Sequence, residues 1–438
     1  MISTSWPGNE IWSPWQKIVF RFFFIFLLLF IAPWTWIEII PGADHIIQYY
    51  YQFMDWCVQT ANDGLFHVRK ELVPINGSGD TSYGWAQFWL LLCLAASGCM
   101  IWSVIGRKKN NHNFLGYWFR IVVRYFIIIN CFGYGLIKIF CLQMSFPSLS
   151  QLATPLGDYL PMRLSWIFMG YSTHYQMFSG VMEVLAGILL LFRRTSTFGA
   201  LVATGVFINV MMLNLSYDIP VKIYSIELVL CCLVLLAFEY KRMLKFFIQN
   251  KITEPGNLYS VSFPGKWMRF TKLVLKLAFI FFVAIWPVKD IWNNYKRVHN
   301  MAEIYPMKEG VYDVNRFVFN KDTISLSNTD SLRWKDLIFE RGGSGSINTA
   351  DTIFKQRYHR GYFNYSTDTA KQIILFTKTS VTGKKDTLFR LNYEIPDSNT
   401  IIMKGPLHND SIYVSLKRTN RYFQLTERQF HWLSEYNR

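Results

Sequence analysis

The sequence predicts a mostly α protein: a polytopic helical membrane bundle of about seven spans, followed by a small antiparallel β domain. Three observations support this. The 438 residues are 51% hydrophobic and 18% aromatic, with a mean hydropathy of +0.16. That is too apolar for an ordinary soluble enzyme, and several runs approach the ~20 apolar residues that cross a bilayer. The net charge is +16, and many of its Lys and Arg residues flank apolar runs, which is the positive-inside signature. Membrane lipid, not nucleic acid, is the environment this charge points to. From about Val311 onward the hydrophobic period changes to two, the strand signal.

The first span is expected over Trp15–Ile40. Lys17 and Arg21 mark its start as cytoplasmic, and Trp34 and Trp36 form an aromatic belt at its far end. With no small-residue cleavage site after it, it reads as a retained signal-anchor. Residues 41–83 are mixed and aromatic. There Asn76-Gly-Ser78 fits a glycosylation acceptor. Gly77 and Gly79 permit turns, and Asp80 is placed to cap the next helix. The second span, Trp85–Ile105, ends at the basic Arg107-Lys-Lys109. The third, Tyr117–Leu142, carries Arg120 and Arg124 near its cytoplasmic end, read as positive-inside anchors, and Lys138 near the other.

Residues 144–171 are interrupted by Pro147, Pro155, Gly157, Asp158 and Pro161, so an amphipathic or re-entrant segment on the outer face is expected. The fourth span is His174–Phe192, closed by Arg193-Arg194. The fifth runs to about Leu215, the sixth is Val221–Phe238 and the seventh Phe270–Trp286. Alternating the basic loops gives a cytoplasmic amino terminus, seven spans and an extracytoplasmic carboxyl terminus, in a bacterial inner membrane. The domains are then 1–118 (two spans and an outer loop), 119–246 (a four-helix core), 247–310 (cytoplasmic loop, last span and linker) and 311–438 (the β domain).

In that last domain Asp386–Tyr393 and Asp410–Lys417 alternate, with Ile412, Val414 and Leu416 on one face. Gly383-Lys-Lys385 and Arg418–Arg421 are plausible hairpin turns, the chain ends as a strand running into a short helix, and Phe430 and Trp432 read as core. The domain is the candidate surface for a protein partner. Seven cysteines occur, six of them in or beside apolar helices, where they act as small hydrophobes. No CxxC, HxxxH or HExxH occurs, so no metal is expected.

The chemistry concentrates between Gly133 and Glu227. Glu183 lies near the middle of its span, where a charge costs ~3 kcal/mol on insertion scales. Gly180 and Gly187, one turn either side, let another helix approach. Glu183 and Lys138 are the candidate catalytic pair. The plainer readings are a packing hydrogen bond for Glu183 and snorkelling for Lys138; the sharper one is an ion pair of Lys138 with Glu183 or Asp218. Asn214, Tyr217 and Asp218 share one face, and Lys222 and Glu227 follow Pro220. A pocket near the outer leaflet, built with Tyr134, Asn209, Asn214, Asp218 and Lys222, would suit a quinone, whose carbonyls need donors and whose ring needs apolar walls. Alternatively Asp218 and Lys222 simply cap helix ends.

Over roughly residues 120–240 the chain resembles the DoxX-like family of membrane proteins. The residues are Gly133-Tyr-Gly-Leu-Ile-Lys138, Phe178-Ser-Gly-Val-Met-Glu183-Val-Leu-Ala-Gly187, Phe192-Arg-Arg-Thr-Ser-Thr-Phe-Gly-Ala200, Asn209-Val-Met-Met-Leu-Asn214 and Tyr217-Asp-Ile-Pro-Val-Lys222. With its outer β domain it looks like the long Bacteroidota-type members. That resemblance implies a four-helix core and a quinone- or lipid-linked oxidoreductase component. The rival expectation is a non-catalytic scaffold or accessory subunit that binds a protein or lipid through the outer domain.

Overall fold

A segment in hydrocarbon must satisfy its own backbone, so it forms a helix of about 20 residues or more. The computed structural model describes residues 11–438 except 40–41, 78, 257–264, 327–331, 352–357, 380–384, 408–409, 428–429, 434 and 436–438. Among these, six helices are long and apolar enough to cross a membrane, and a bent pair makes up to seven. The chain is a multi-pass membrane protein on that ground.

Its helices are α1 (Pro14–Ile31), α2 (Asp44–Ala61), α3 (Ser82–Ile105), α4 (Asn113–Ile139), the short α5 (Leu149–Leu152), α6 (Pro161–Tyr171), α7 (Thr173–Leu191), α8 (Ser196–Ser216), α9 (Lys222–Ala237) and α10 (Tyr240–Met243). After them come α11 (Lys266–Ile280) and α12 (Trp286–His299), continuous through a π turn, and last α13 (Gln424–Glu427). α9 with the chain to Ile248 forms the bent pair, at 74°. The last span, Lys266–His299, is therefore twice as long as expected.

Local signals fix the helix starts. Ser13 and Gln16 form a capping box around Pro14. Thr81 accepts from the Gly84 N–H at 3.2 Å and caps α3. Asp80 does not cap the helix that follows it. Its carboxylate accepts the N–H groups of Lys222 (2.8 Å) and Ile223 (3.1 Å), and so caps α9 from 142 residues away.

The helical unit, residues 1–144 and 172–292, has two ends. At one end, Trp12 donates to Asn113 (3.0 Å) and Lys17 to the Lys109 carbonyl (3.0 Å). Arg21 is buried there and donates to His112 Nε2 (3.1 Å), Ser103 (3.0 Å) and the Gly106 carbonyl (3.1 Å). Burial, and then the Arg21 charge, push the His112 imidazole down to about 4, so it stays the neutral acceptor this bond needs. Arg193 reaches Tyr117 at the same end, and Arg120 stacks on Phe238. At the other end Gly79 donates to the Pro220 carbonyl, and Cys141 contacts the Thr173 carbonyl. Phe279 lies against Tyr125 and Trp292 against Phe140, so α11–α12 runs alongside α4 in the same direction. Successive spans thus alternate in direction. Their shared core includes Leu27, Val123, Ile127, Cys131, Leu190 and Cys232.

α2 was not legible as a helix. It buries Met54 and Val58 against Ala86 and exposes Ile46, Tyr49, Phe53 and Trp56 along one stripe. A helix too polar to span, with such a stripe, suits the membrane surface.

The second unit comprises residues 145–171 and 293–438. Its strands are β1 (Gly310–Phe319), β2 (Asp322–Thr323), β3 (Asp336–Glu340), β4 (Ser344–Asn348), β5 (Arg360–Asp368), β6 (Ile373–Thr379), β7 (Lys385–Asp397), β8 (Thr400–Leu407) and β9 (Asp410–Thr419). Each pairs antiparallel with the next, save that β1 pairs with both β2 and β3. β9 pairs back onto β1, from Val311↔Thr419 to Phe319↔Ile412, so the sheet closes into a barrel. The alternating residues fill its interior, among them Phe363, Phe376, Phe389, Met403 and Val414.

Several expectations are corrected here. Residues 145–171 belong to the barrel unit and not to the helical core of 119–246. Ala153 packs on the outward-facing Val311 and Ile338. The Ser150 N–H donates to Glu340 (2.9 Å), and the Ser346 hydroxyl to that of Ser150 (2.7 Å). Arg418–Arg421 is no hairpin, because β9 leads on to α13. Phe430 and Trp432 are not core: they are 78% and 94% exposed. The turn at Gly383-Lys-Lys385 and the acceptor pattern at Asn76-Gly-Ser78 fall partly outside the described residues.

Residues 145–171 form a strap over the outside of the barrel, and Arg360 is buried beneath it. It donates from Nε to Ser346 (2.8 Å) and is paired with Asp336. Replacing Arg360 by Met strands a buried carboxylate and should cost about 3–5 kcal/mol, whereas Arg360→Met with Asp336→Leu should recover most of it. Thermal melting of the full chain in mild detergent distinguishes this from a pair that contributes nothing.

Candidate functional site

α4 and α7 cross at van der Waals contact because glycines face each other there. A Cβ on Gly180 would lie 2.5 Å from the Gly135 carbonyl oxygen and 2.8 Å from the Ile139 nitrogen. One on Gly187 would lie 3.0 Å from Cys131 Cβ. The partner that these glycines admit is therefore α4.

The crossing brings Lys138 to Glu183. Both are buried, at 5% and 1% exposure, and the Lys138 ammonium donates to Glu183 Oε1. Snorkelling is thereby replaced by ion pairing, and the partner is Glu183, not Asp218. The other carboxylate oxygen, Oε2, is buried with no hydrogen-bond partner among the described residues. Glu183 lies ten residues into the 19 of α7, about 15 Å along its axis, so it is mid-helix, and Lys138 reaches it from the last turn of α4.

Two turns back along α4, Asn130 is buried. Its amide donates to the Phe126 carbonyl (2.9 Å) and its oxygen accepts from the Tyr224 hydroxyl of α9 (2.5 Å). Glu227, one turn beyond Tyr224, is 3% exposed. Asn130 and Tyr224 were missed in the sequence. The usable signal was the interval of four linking Asn130, Tyr134 and Lys138 along one helix face. Tyr134 itself is 38% exposed on the surface of the bundle.

The remaining predicted residues lie apart from this pair. Asn214 is buried at the end of α8, and its carbonyl accepts the Ile219 N–H. Asn209 is on an exposed face of α8. Asp218, at positive φ in the α8–α9 turn, is 82% exposed and holds Lys222 at 2.7 Å. Lys222 is also 3.7 Å from Asp80. Asp218 and Lys222 therefore sit with Asp80 at the start of α9, which is the alternative expected of Asp218 and Lys222. Among the described residues, no hydrogen bond or ion pair joins Lys138 or Glu183 to Asn209, Asn214, Asp218 or Lys222.

Removing one member of the pair should be worse than removing both charges. Lys138→Met should destabilise the bundle by about 3–5 kcal/mol, and Lys138→Met with Glu183→Gln by clearly less. Denaturation midpoints in detergent give the coupling; additive effects would mean that the two groups do not interact.

No family model matches the chain, and no solved structure matches it. A 129-residue stretch, 30% of this chain, is 33% identical to Uncharacterized protein YwoB of Bacillus subtilis and covers 82% of that protein. Through that stretch the chain belongs to the same family as YwoB.

Proposed function

We propose that this is a quinone- or lipid-linked oxidoreductase component of the bacterial cytoplasmic membrane, with Lys138 and Glu183 as its working pair. The observation that carries this reading is Glu183: one oxygen holds Lys138, and the other is buried with no partner among the described residues. Such an oxygen is available to accept a hydrogen bond, or a proton, from the hydroxyl of a reduced quinone, while the Lys138 ammonium is the donor that a quinone carbonyl needs. Tyr134, one turn before Lys138 and part-exposed, adds a ring and a hydroxyl at the lipid-facing surface. The resemblance to DoxX-like proteins at the residues around Lys138 and Glu183 supports the same reading. The outer β domain is the surface assigned to a donor partner. Its interior is filled by side chains, so a partner engages its outside.

A second reading, a non-catalytic scaffold, rests on that same barrel and on the exposed Phe430 and Trp432 behind it. The two readings separate on what the bundle retains. Small molecules extracted from protein purified in mild detergent should include a quinone in the parent, and none in Lys138→Ala or Glu183→Gln at matched yield. No enriched molecule in any sample would favour the scaffold.

The proposed topology places the basic end, with Lys17, Arg107–Lys109 and Arg193–Arg194, in the cytoplasm. Counting the bent pair as a seventh span then puts the carboxyl terminus outside. A periplasm-active reporter fused there should be active and a cytoplasm-active one silent; the reverse pattern would refute that count.

A further inference from the structure

At the basic end of the helical unit lies a cavity of about 210 Å³. Arg120 and Arg124 reach it from α4, Arg193 and Arg194 from the α7–α8 turn, and Glu239 and Arg242 from the end of α9 and the start of α10. Five guanidiniums against one carboxylate leave a formal charge of +4 around it. The carboxylate is already engaged, since Glu239 binds Arg242 at 2.8 Å. Positive-inside anchoring explains arginines spread over a surface, but not five gathered around one hollow.

The arginines are also held in place. Arg120 lies over the Phe238 ring at 4.9 Å, Arg124 over Tyr125 at 5.5 Å, and Arg193 donates to the Tyr117 hydroxyl at 3.2 Å. Arg124 Nε is buried with no hydrogen-bond partner among the described residues. Arg124 begins the fourth turn of α4, about 17 Å from its start, and lines the cavity there.

The floor of the cavity adds donors of another kind. Ser196 and Thr197, the first residues of α8, line it. Thr195, at the N-cap, makes no capping bond, because its hydroxyl donates back to the Leu189 carbonyl at 2.6 Å. The first turn of a 21-residue helix therefore presents its N–H groups and the positive end of its dipole here.

We infer that this cavity binds a phosphate group. Guanidinium forks match phosphate oxygens two at a time, and the helix start matches a third. Two sources share this chemistry: the head group of an anionic phospholipid, entering between spans at headgroup depth, and a soluble phosphate ester. The inference is independent of the Lys138–Glu183 site.

The test is thermal melting of the full chain in mild detergent, titrated with phosphatidic acid, phosphatidylcholine or inorganic phosphate. The parent should be stabilised by phosphatidic acid and not by phosphatidylcholine if the source is lipid, or by inorganic phosphate at millimolar level if it is soluble. Either response should weaken at least about tenfold in apparent affinity in Arg124→Gln and in Arg194→Gln, and persist in Lys108→Gln, which removes an exposed charge outside the cavity. Arg194 is exposed in a turn, so its variant keeps the test valid if Arg124→Gln folds poorly. No stabilisation by either phosphate compound, or stabilisation that survives Arg194→Gln, or that Lys108→Gln lowers equally, would overturn the assignment.

Discussion

The α4–α7 crossing is constrained by one contact: an ammonium and a carboxylate that meet in the buried interior of the helical unit. Neither Lys138 nor Glu183 is cheaply left alone there, because an isolated buried charge costs about 3–5 kcal/mol, as much as a large packing defect. The pair therefore fixes the depth of α7 against α4. It also fixes their separation, since the bond closes only if the two backbones touch. Gly135, Gly180 and Gly187 meet that requirement: a methyl group would collide with the facing helix at the first two and crowd Cys131 at the third. Burial of Cys131, Leu190 and Ala186 around the crossing then follows from the geometry that the ion pair imposes.

The barrel faces the same problem in a different solvent. Arg360 and Asp336 point away from its filled interior, on the outer wall, where water would normally screen them. The strap of residues 145–171 removes that water and supplies Ser150 in its place, bonded to the Ser346 that Arg360 also holds. A chain segment lying between two membrane spans in sequence thus serves as part of a domain that begins 120 residues later. That arrangement makes the barrel's outer face depend on the bundle's connectivity, and it explains why Pro147, Pro155 and Pro161 sit where no span is needed.

Periodicity made the spans and strands legible, because a helix in lipid and a strand on a core each repeat their pattern within a few residues. Ile412, Val414 and Leu416 could be assigned to one buried face from their spacing alone. What mostly escaped were features decided by distant residues. Asp80 precedes α3 but caps α9. Closure of the barrel depends on β1 meeting β9, about a hundred residues on. The short polar breaks in α2 hid an amphipathic helix whose apolar stripe follows a period the eye loses among Asp44, Gln48 and Asp55. For the site, Lys138, Glu183 and the two glycines were readable because such residues are rare in apolar runs. Asn130 and Tyr224 were not, since a lone Asn or Tyr in a span is unremarkable until its partner is known.

The two polar centres of the bundle differ in what they leave unsatisfied. At mid-depth the leftover group is an acceptor, Glu183 Oε2; at the basic end it is a donor, Arg124 Nε, within a surplus of positive charge. A protein interior rarely tolerates either kind of orphan without a reason. An acceptor in apolar surroundings selects a neutral ligand that carries a hydroxyl, because a second anion there would face Glu183 itself. A donor among arginines selects an anion and rejects a neutral molecule that cannot repay the desolvation of the guanidiniums. α4 carries both groups, Arg124 and Lys138, fourteen residues and about 21 Å apart along one helix. The same helix therefore separates a donor-rich centre at the basic end from an unpaired acceptor held beside Lys138.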